Sequence, residues 1–258
     1  MPAKNVIKQY LVNGYYHLYN RGVEKREIFM DRQDEGVFLS YLKEYLTLKD
    51  TDKLQAAFSD SRLSYGERIE AAKLLRMNNF SDSLDLLAYC LMGNHFHLLV
   101  KQTQERTIET FMRSLCTRYV QYFNKRHGNR VGGLFQSTYK AVLVQSEEQL
   151  WHLSRYIHRN PAMKGLSLVG CLRPSSYQNY LGLVSQVWVK PGEILGYFAK
   201  SGFNSYESFV ENDALEEESL ARIPELLKPR KDNPFGSILL GPLLGQEVST
   251  LLLDMEGP

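Results

Sequence analysis

Apolar and polar residues alternate in patterns that divide the first part of the chain into strands and helices. Residues 14–22 are rich in aromatic side chains and end in glycine, which predicts a first strand. Apolar residues at helical spacing follow Asp31, so we predict a helix from this N-cap residue to about Leu48. Residues from about 49 to 85 are more polar, and we interpret them as a surface insertion with one short helix.

An apolar run over residues 86–92 comes next, and after Gly93 and Asn94 follows a stretch, residues 95–100, that is apolar apart from its two histidines. This spacing predicts a β-hairpin, since Gly-Asn tolerates the positive φ angles of tight turns. An amphipathic pattern over residues 107–125 predicts a second helix, and residues 138–144 predict another strand.

A third helix is predicted from Glu147 to about Arg159, because Ser146 and Gln149 form a capping-box pattern at its start. Helices that cover one face of a mostly antiparallel sheet indicate an α+β sandwich. The pattern weakens after Gly165. We therefore predict one domain over residues 1–165 and, over residues 166–258, an extension of short helices with an acidic, partly flexible tail.

The hairpin carries the clearest candidate for chemistry, the sequence His95-Phe96-His97. Side chains alternate along a strand, so His95 and His97 project from the same face. Two neighbouring imidazoles can bind one divalent metal ion, but a His-x-His on an apolar strand is also common without any metal. Two histidines are too few for a closed site, which leaves positions for a further ligand, water or substrate.

The third helix carries a second candidate at the margin of its apolar stripe. His152, Tyr156 and Asn160 are successive i, i+4 neighbours there, so Asn160 lies within reach of whatever Tyr156 faces. The competing interpretation is a core-edge tyrosine that makes one hydrogen bond. His152 is a weak candidate to accept the Tyr156 proton, and we interpret His17 and His158 as structural residues.

Composition and charge narrow the class of protein. The hydrophobic fraction of 43% and the charged fraction of 23% are ordinary for a globular domain. No apolar run approaches the roughly 20 residues that span a bilayer, no signal-peptide core opens the chain, and three cysteines suggest no disulfide framework. We therefore expect a cytoplasmic protein.

Charge is unevenly distributed along the chain. Residues 201–258 contain 4 Lys and Arg against 11 Asp and Glu, whereas residues 1–200 contain 27 against 18. A basic region around a candidate metal site favours a polyanionic partner such as nucleic acid. The alternative interpretation is a solvated surface whose charge is uneven without any polyanionic partner.

Several motifs together resemble the HUH endonuclease superfamily, specifically the tyrosine transposases that include the REP-associated ones. The matching stretches, in family order, are YHLYNRG, LLAYCLMGNHFHLLV, FNKRHG with GGLFQSTYKAVLV, LSRYIHRNP and PSSYQNYLG. The resemblance implies a ferredoxin-like antiparallel sheet, Tyr156 as the nucleophile, and His95, His97 and Asn160 as metal ligands. Two imidazoles with oxygen ligands suit Mg²⁺ or Mn²⁺. Relatives commonly have proline where this chain has Gly93.

The function implied is a metal-dependent single-stranded DNA endonuclease and strand transferase that forms a 5′-phosphotyrosine at DNA hairpin ends, as a monomer or homodimer. The candidate DNA-binding residues are Asn20, Arg21, Arg118, Arg130 and Lys140. One alternative is a domesticated protein that binds DNA hairpins without transposition. Another is a zinc hydrolase that uses the His-x-His alone.

Overall fold

Four antiparallel strands form the sheet at the centre of the computed structural model. The structure describes residues 10–128, 132–161, 168, 173–199 and 205–215. The strands are β1 (Tyr15–Arg21), β2 (Leu84–Met92), β3 (His95–Gln102) and β4 (Lys140–Leu143), in the order β2-β3-β1-β4. Every pairing is antiparallel. This is the ferredoxin-like arrangement, and the predicted fold class is confirmed.

Helices pack on both faces of this sheet. The α-helices of the described residues are α1 (Arg32–Leu46), α2 (Thr51–Ser59), α3 (Tyr65–Arg76), α4 (Thr107–Arg126), α5 (Glu147–Arg159), α6 (Tyr177–Tyr180), α7 (Gly192–Phe198) and α8 (Tyr206–Glu211). Among these described helices, none combines the length and apolar character needed to cross a membrane.

Alternation along the strands sorts their side chains into two hydrophobic cores. Leu18, Phe96 and Leu98 face the first core, which α1 and α4 cover. Tyr19 and Leu99 face the second core, which α5 and the short helices α6–α8 cover. The prediction of helices on one face describes α1 and α4, whereas α5 lies on the opposite face because the C-terminal helices complete its core.

Local signals placed most helix ends correctly. The Asp31 carboxylate accepts hydrogen bonds from the backbone N–H groups of Gln33 and Asp34, which begins α1. The Ser146 hydroxyl accepts from the N–H of Gln149 and begins α5. The reciprocal half of the predicted capping box is different, since the Gln149 side chain accepts from the N–H of Gln145 instead of Ser146.

The insertion contains two helices instead of the single one predicted. Helix α3 begins with a complete capping box between Ser64 and Glu67, in line with its prediction. Helix α2 has no buried residue and therefore no apolar stripe that periodicity could detect. The two helices pack on each other as a helical hairpin.

The turn between β2 and β3 corrects one expectation. Neither Gly93 nor Asn94 is among the described residues with a positive φ angle. Gly93 instead lets a side chain approach closely, because an added Cβ would lie 2.8 Å from Oε1 of Glu27, and this flexible carboxylate would have to shift. Its carbonyl accepts hydrogen bonds from the N–H groups of Ile28 and Phe29, so the turn is fastened to the segment before α1.

The C-terminal extension packs against the outer edge of β2. Val189 forms an isolated parallel bridge to Leu86, and Ser175 forms an antiparallel bridge to Cys90. Trp188 joins the first core, where its ring stacks on that of Tyr89 with centroids 5.4 Å apart. The described part of the extension therefore shares both cores with the sheet. The predicted acidic tail lies outside the described residues.

Candidate functional site

Polar side chains from neighbouring strands lie side by side on the sheet face that α5 covers. His97 of β3 is paired in register with Tyr19 of β1, and the next pair along is His95 with Arg21. On its other side Tyr19 is paired with Lys140 of β4. Directly paired residues of antiparallel strands project from the same face. Two imidazoles, a phenol, a guanidinium and an ammonium group therefore share one surface of the sheet.

The ring of His95 is oriented by the residue before it. Its Nδ1 lies 2.6 Å from Oδ1 of Asn94, and Nδ2 of Asn94 donates to the carbonyl of Lys25 at 3.0 Å. An amide oxygen only accepts hydrogen bonds, so Nδ1 of His95 carries the proton and Nε2 has the free lone pair. Metal-binding histidines are typically oriented in this way, by a hydrogen bond from the ring nitrogen that does not bind the metal.

His97 lies deeper and contacts a third histidine. Its side chain is fully buried, and its Nδ1 lies 2.8 Å from Nε2 of His17. Its Nε2 has no hydrogen-bond partner among the described residues. Burial lowers the pKa of His97 well below 6.5, and the neighbouring His17 and His95 lower it further. The imidazole is therefore neutral at physiological pH, which is the form that binds metal ions.

The other two imidazoles of this group are neutral for the same reason. Burial lowers the pKa of His17 to about 3, with a smaller effect from the nearby His95. Burial also lowers the pKa of His95 to about 3, and Arg21 adds to this effect. These three imidazoles therefore carry nitrogen lone pairs instead of positive charges at neutral pH.

Helix α5 places Tyr156 directly against this group. The ring of Tyr156 meets the ring of His97 edge-on, with centroids 5.8 Å apart. The Tyr156 side chain is only 2% exposed. Burial raises the pKa of the Tyr156 phenol well above 10, the nearby Cys90 raises it further, and the polar contact with Asn160 opposes the rise. The phenol is therefore protonated in the free protein.

Asn160 ends α5 next to Tyr156. Its backbone N–H donates to the carbonyl of Tyr156 at 2.9 Å, and its side chain is buried. The Nδ2 atom has no hydrogen-bond partner among the described residues. A buried polar atom without a partner is uncommon in folded proteins and calls for an explanation.

Unpartnered atoms thus occur on both sides of the contact between Tyr156 and His97. Of these atoms, Nε2 of His97 can bind a metal ion, whereas Nδ2 of Asn160 only donates hydrogen bonds. Asn160 can bind Mg²⁺ or Mn²⁺ only through its amide oxygen, together with water and phosphate oxygens. Within the described residues no group of three or more His, Cys, Asp or Glu side chains is placed to hold a metal ion. His95, His97 and Asn160 therefore fit a metal site only with positions left to water or substrate.

The predicted DNA-binding residues lie in different surroundings. Arg21 is half-buried beside His95, and its Nε has no hydrogen-bond partner among the described residues. Lys140 is half-buried at the edge of the same face. Arg130 lies outside the described residues.

Asn20 and Arg118 are engaged within the protein. Asn20 is buried toward the first core, and its Nδ2 donates to the carbonyl of Ser137. Arg118 pairs with Glu44 at 2.7 Å, and its guanidinium lies over the Tyr41 ring at 3.8 Å. These contacts favour structural roles for Asn20 and Arg118.

Two histidines of α5 face away from the site. The His152 ring packs edge-on against Phe209 of the C-terminal extension. His158 is hydrogen-bonded to the hydroxyls of Tyr206 and Ser176, in line with the structural role predicted for it. His17 is different, because it contacts a site residue that its sequence context did not connect with it. The one available signal was alternation along β1, which places residue 17 on the same face as residues 19 and 21.

The C-terminal extension contacts the face of α5 that points away from the sheet. The buried Arg155 donates through Nε to the carbonyl of Phe209 at 2.9 Å and through an Nη to that of Asn212. Arg159 donates to the carbonyl of Val210 and pairs with Asp213. Two arginines on the face of α5 opposite the sheet thus bind the C-terminal end of α8 and help hold the tyrosine helix in place.

Comparison with known proteins agrees with the motif pattern. Residues 62–160 match the model of the family described as "Transposase IS200 like", which confirms the family recognised from the sequence. The matched region includes His95, His97, Tyr156 and Asn160. No curated protein matches the chain.

Two solved structures are similar to the chain at low identity. A REP-associated tyrosine transposase bound to a REP hairpin has 12% identity and a TM-score of 0.40, over 73% of this chain and 92% of that one. A candidate transposase from Deinococcus radiodurans R1 has 18% identity and a TM-score of 0.25, over 59% of this chain and 94% of that one.

Proposed function

We propose that this chain, whose residues 62–160 match the IS200-like transposase family, is a metal-dependent enzyme that nicks and joins single-stranded DNA through Tyr156. The observation that carries the proposal is the edge-on contact of Tyr156 with His97, with buried atoms lacking partners on both sides of it. A structural tyrosine needs no such unpartnered neighbours.

The residues divide the work between a nucleophile, a metal site and a phosphate-binding group. His95 and His97, through their Nε2 atoms, and Asn160, through its amide oxygen, are the proposed ligands of Mg²⁺ or Mn²⁺. When bound, the metal ion polarises a non-bridging oxygen of the scissile phosphate. Arg21, beside His95 with an unpartnered Nε, is placed to bind another oxygen of the same phosphate.

The covalent step exchanges one phosphoester bond for another. The Tyr156 oxygen loses its proton and bonds to phosphorus, the bond from phosphorus to the 3′ oxygen breaks, and the leaving 3′ oxygen takes up a proton. The products are a 5′-phosphotyrosine and a free 3′ hydroxyl. Because the bond energy is conserved, attack by another 3′ hydroxyl rejoins strands without an external energy source.

Burial of Tyr156 sets a requirement on this step. A phenol with a raised pKa is a poor nucleophile until it loses its proton. Substrate entry must therefore open the contact between α5 and the sheet and bring positive charge next to the phenol. Single-stranded or hairpin DNA is the proposed substrate, because a phosphate within a duplex is hard to place between a strand and a helix.

The same burial supports a second candidate, a domesticated protein that binds DNA hairpins without cutting them. A phenol that is 2% exposed and protonated is expected in a chain whose site no longer reacts. The two candidates share the sheet face and differ only in whether Tyr156 forms a bond to DNA.

Cleavage of labelled single-stranded hairpins distinguishes these candidates. Wild-type protein should cut in Mg²⁺ or Mn²⁺ and not in EDTA, and Tyr156→Phe and His97→Ala should not cut. Tyr180→Phe is the matched control, because this buried tyrosine belongs to the same core but donates to the carbonyl of Leu87. Equal hairpin binding by wild type and His95→Ala without cleavage by either would favour the domesticated candidate. Cleavage by Tyr156→Phe would contradict a tyrosine nucleophile and favour a hydrolase.

A further inference from the structure

His17 is a buried histidine without a role in the proposed reaction. It projects from β1 on the site face, diagonally across from His97 on the neighbouring strand. The two rings are stacked, with centroids 5.0 Å apart, and Nε2 of His17 lies 2.8 Å from Nδ1 of His97. His17 is fully buried, so water does not compete for this hydrogen bond.

The hydrogen bond decides which nitrogen of His97 is available. One proton is shared between the two facing nitrogens, so it belongs either to Nδ1 of His97 or to Nε2 of His17. If His97 donates, its Nε2 has a lone pair directed into the site. If His17 donates, His97 is protonated on Nε2 and cannot bind a metal ion.

The outer nitrogens of the His17–His97 pair have no partners, and this favours the arrangement in which His97 donates once a metal ion is bound. Nε2 of His97 and Nδ1 of His17 are both buried without a hydrogen-bond partner in the described structure. A metal ion on Nε2 of His97 satisfies one of these atoms directly and requires the proton to lie on Nδ1. If the outer nitrogens of the His17–His97 pair reached water, water would be their partner and no ligand would be needed. Both outer nitrogens are buried, so they do not reach water.

We propose that His17 is a positioning residue that accepts a hydrogen bond from Nδ1 of His97 and holds the tautomer that presents Nε2 to a divalent metal ion. The inference rests on the proposed metal site, but not on cleavage of DNA. His95 is held in the same way by Asn94, so each imidazole of the pair has its own acceptor. One acceptor is a turn amide beside the site, and the other is a buried imidazole one strand away.

The protonation state of His97 is measured without any metal. Long-range ¹H–¹⁵N spectra of ¹⁵N-histidine-labelled, metal-free protein distinguish a protonated Nδ1 from a protonated Nε2. We expect His97 to carry its proton on Nδ1 in wild type. A proton on Nε2 of His97 in wild type would overturn the inference whatever the enzyme does to DNA.

Two amide variants of residue 17 make the matched comparison. The side-chain amide of glutamine reaches the position of Nε2 of histidine, so His17→Gln retains an acceptor for His97. Asparagine is shorter, so His17→Asn keeps a polar amide but loses this contact. We expect Mn²⁺ affinity, measured by electron paramagnetic resonance or calorimetry, to fall about 10- to 100-fold in His17→Asn. His17→Gln should stay within a few-fold of wild type.

His158→Gln controls for the loss of a buried imidazole. His158 is equally hydrogen-bonded but faces Tyr206 and Ser176 instead of the site. Its variant should lower stability without changing Mn²⁺ affinity or the His97 spectrum. Equal Mn²⁺ affinities in His17→Gln and His17→Asn would overturn the positioning role. If wild type bound no Mn²⁺ while His97 still carried its proton on Nδ1, the proposed metal site would fail and the tautomer assignment would stand.

Discussion

The phenol ring of Tyr156 meets the imidazole of His97 edge-on within one chain, at a centroid separation of 5.8 Å. Helix α5 brings the proposed nucleophile and β3 brings the imidazole pair, so a single copy of the protein holds both halves of the candidate site. Arg155 and Arg159 fasten the other side of α5 to the backbone carbonyls of α8. The C-terminal extension thereby helps to keep Tyr156 on the histidines of its own chain.

Arg21 is expected to bind DNA phosphate. Arg21→Ala should weaken hairpin binding, and the slope of log affinity against log salt should decrease by about one because one phosphate contact is lost. Mn²⁺ affinity should not fall, since Arg21 is not a proposed ligand and its positive charge lies beside His95. Fluorescence anisotropy over a range of salt concentrations measures both the affinity and the slope.

Arg118 provides the matched comparison for Arg21. Its guanidinium is paired with Glu44 and stacked on Tyr41. Arg118→Ala should therefore lower the free energy of unfolding while the salt slope of hairpin binding stays at the wild-type value. A reduced slope in Arg118→Ala together with an unchanged slope in Arg21→Ala would reverse our assignment of the two arginines.

Asn94 is expected to support metal binding through His95. Asn94→Ala removes the acceptor that holds the proton of His95 on Nδ1. Loss of such an outer partner should reduce Mn²⁺ affinity about 10- to 100-fold. Asn78→Ala is the control, because that exposed amide contacts only the hydroxyl of Ser114 in the described structure. Equal Mn²⁺ affinities in these two variants would show that Asn94 does not orient His95.

Stability should fall as the pH falls below about 6.5. Burial lowers the pKa of His158 to about 3 in the folded protein. The unfolded chain binds a proton near its ordinary pKa of about 6.5, so between these values the unfolded state binds more protons and folding loses free energy as pH decreases. The contribution of His158 to the free energy of unfolding is therefore fully present only above pH 6.5.

The size of this effect follows from the difference in proton binding. Between pH 7.5 and 5.5, about 1.4 kcal/mol of stability should be lost through His158. Urea unfolding of wild type and His158→Gln at the two pH values measures it, and the variant should lose about that much less. An identical pH dependence in both proteins would mean that His158 titrates normally when folded.

The periodic elements of this protein were predictable because their signals are local. Asp31 caps α1, α4 begins at Thr107, and α5 covers the predicted residues, since each depends on spacing within one segment. The shared face of His95 and His97 follows from strand alternation alone. The motif order then identified the transposase family, which the family model confirms over residues 62–160.

Features that depend on pairing between distant segments were not predictable. The contact between His17 and His97 requires the register of β1 on β3, which no local pattern specifies. The burial of Asn20 requires knowing which face of β1 meets α4. The position of α5 on the second face depends on the extension that covers it, and the role of Gly93 depends on the approach of Glu27.

The central claim is that Tyr156 becomes joined to DNA. Wild-type protein incubated with a single-stranded hairpin and Mg²⁺ should form a product that survives denaturation, and mass spectrometry after nuclease and protease digestion should locate a nucleotide 5′-phosphate on Tyr156. Tyr156→Phe should form no such product, and Tyr180→Phe should form it normally. A nucleotide on any other residue, or an adduct that persists in Tyr156→Phe, would contradict the account.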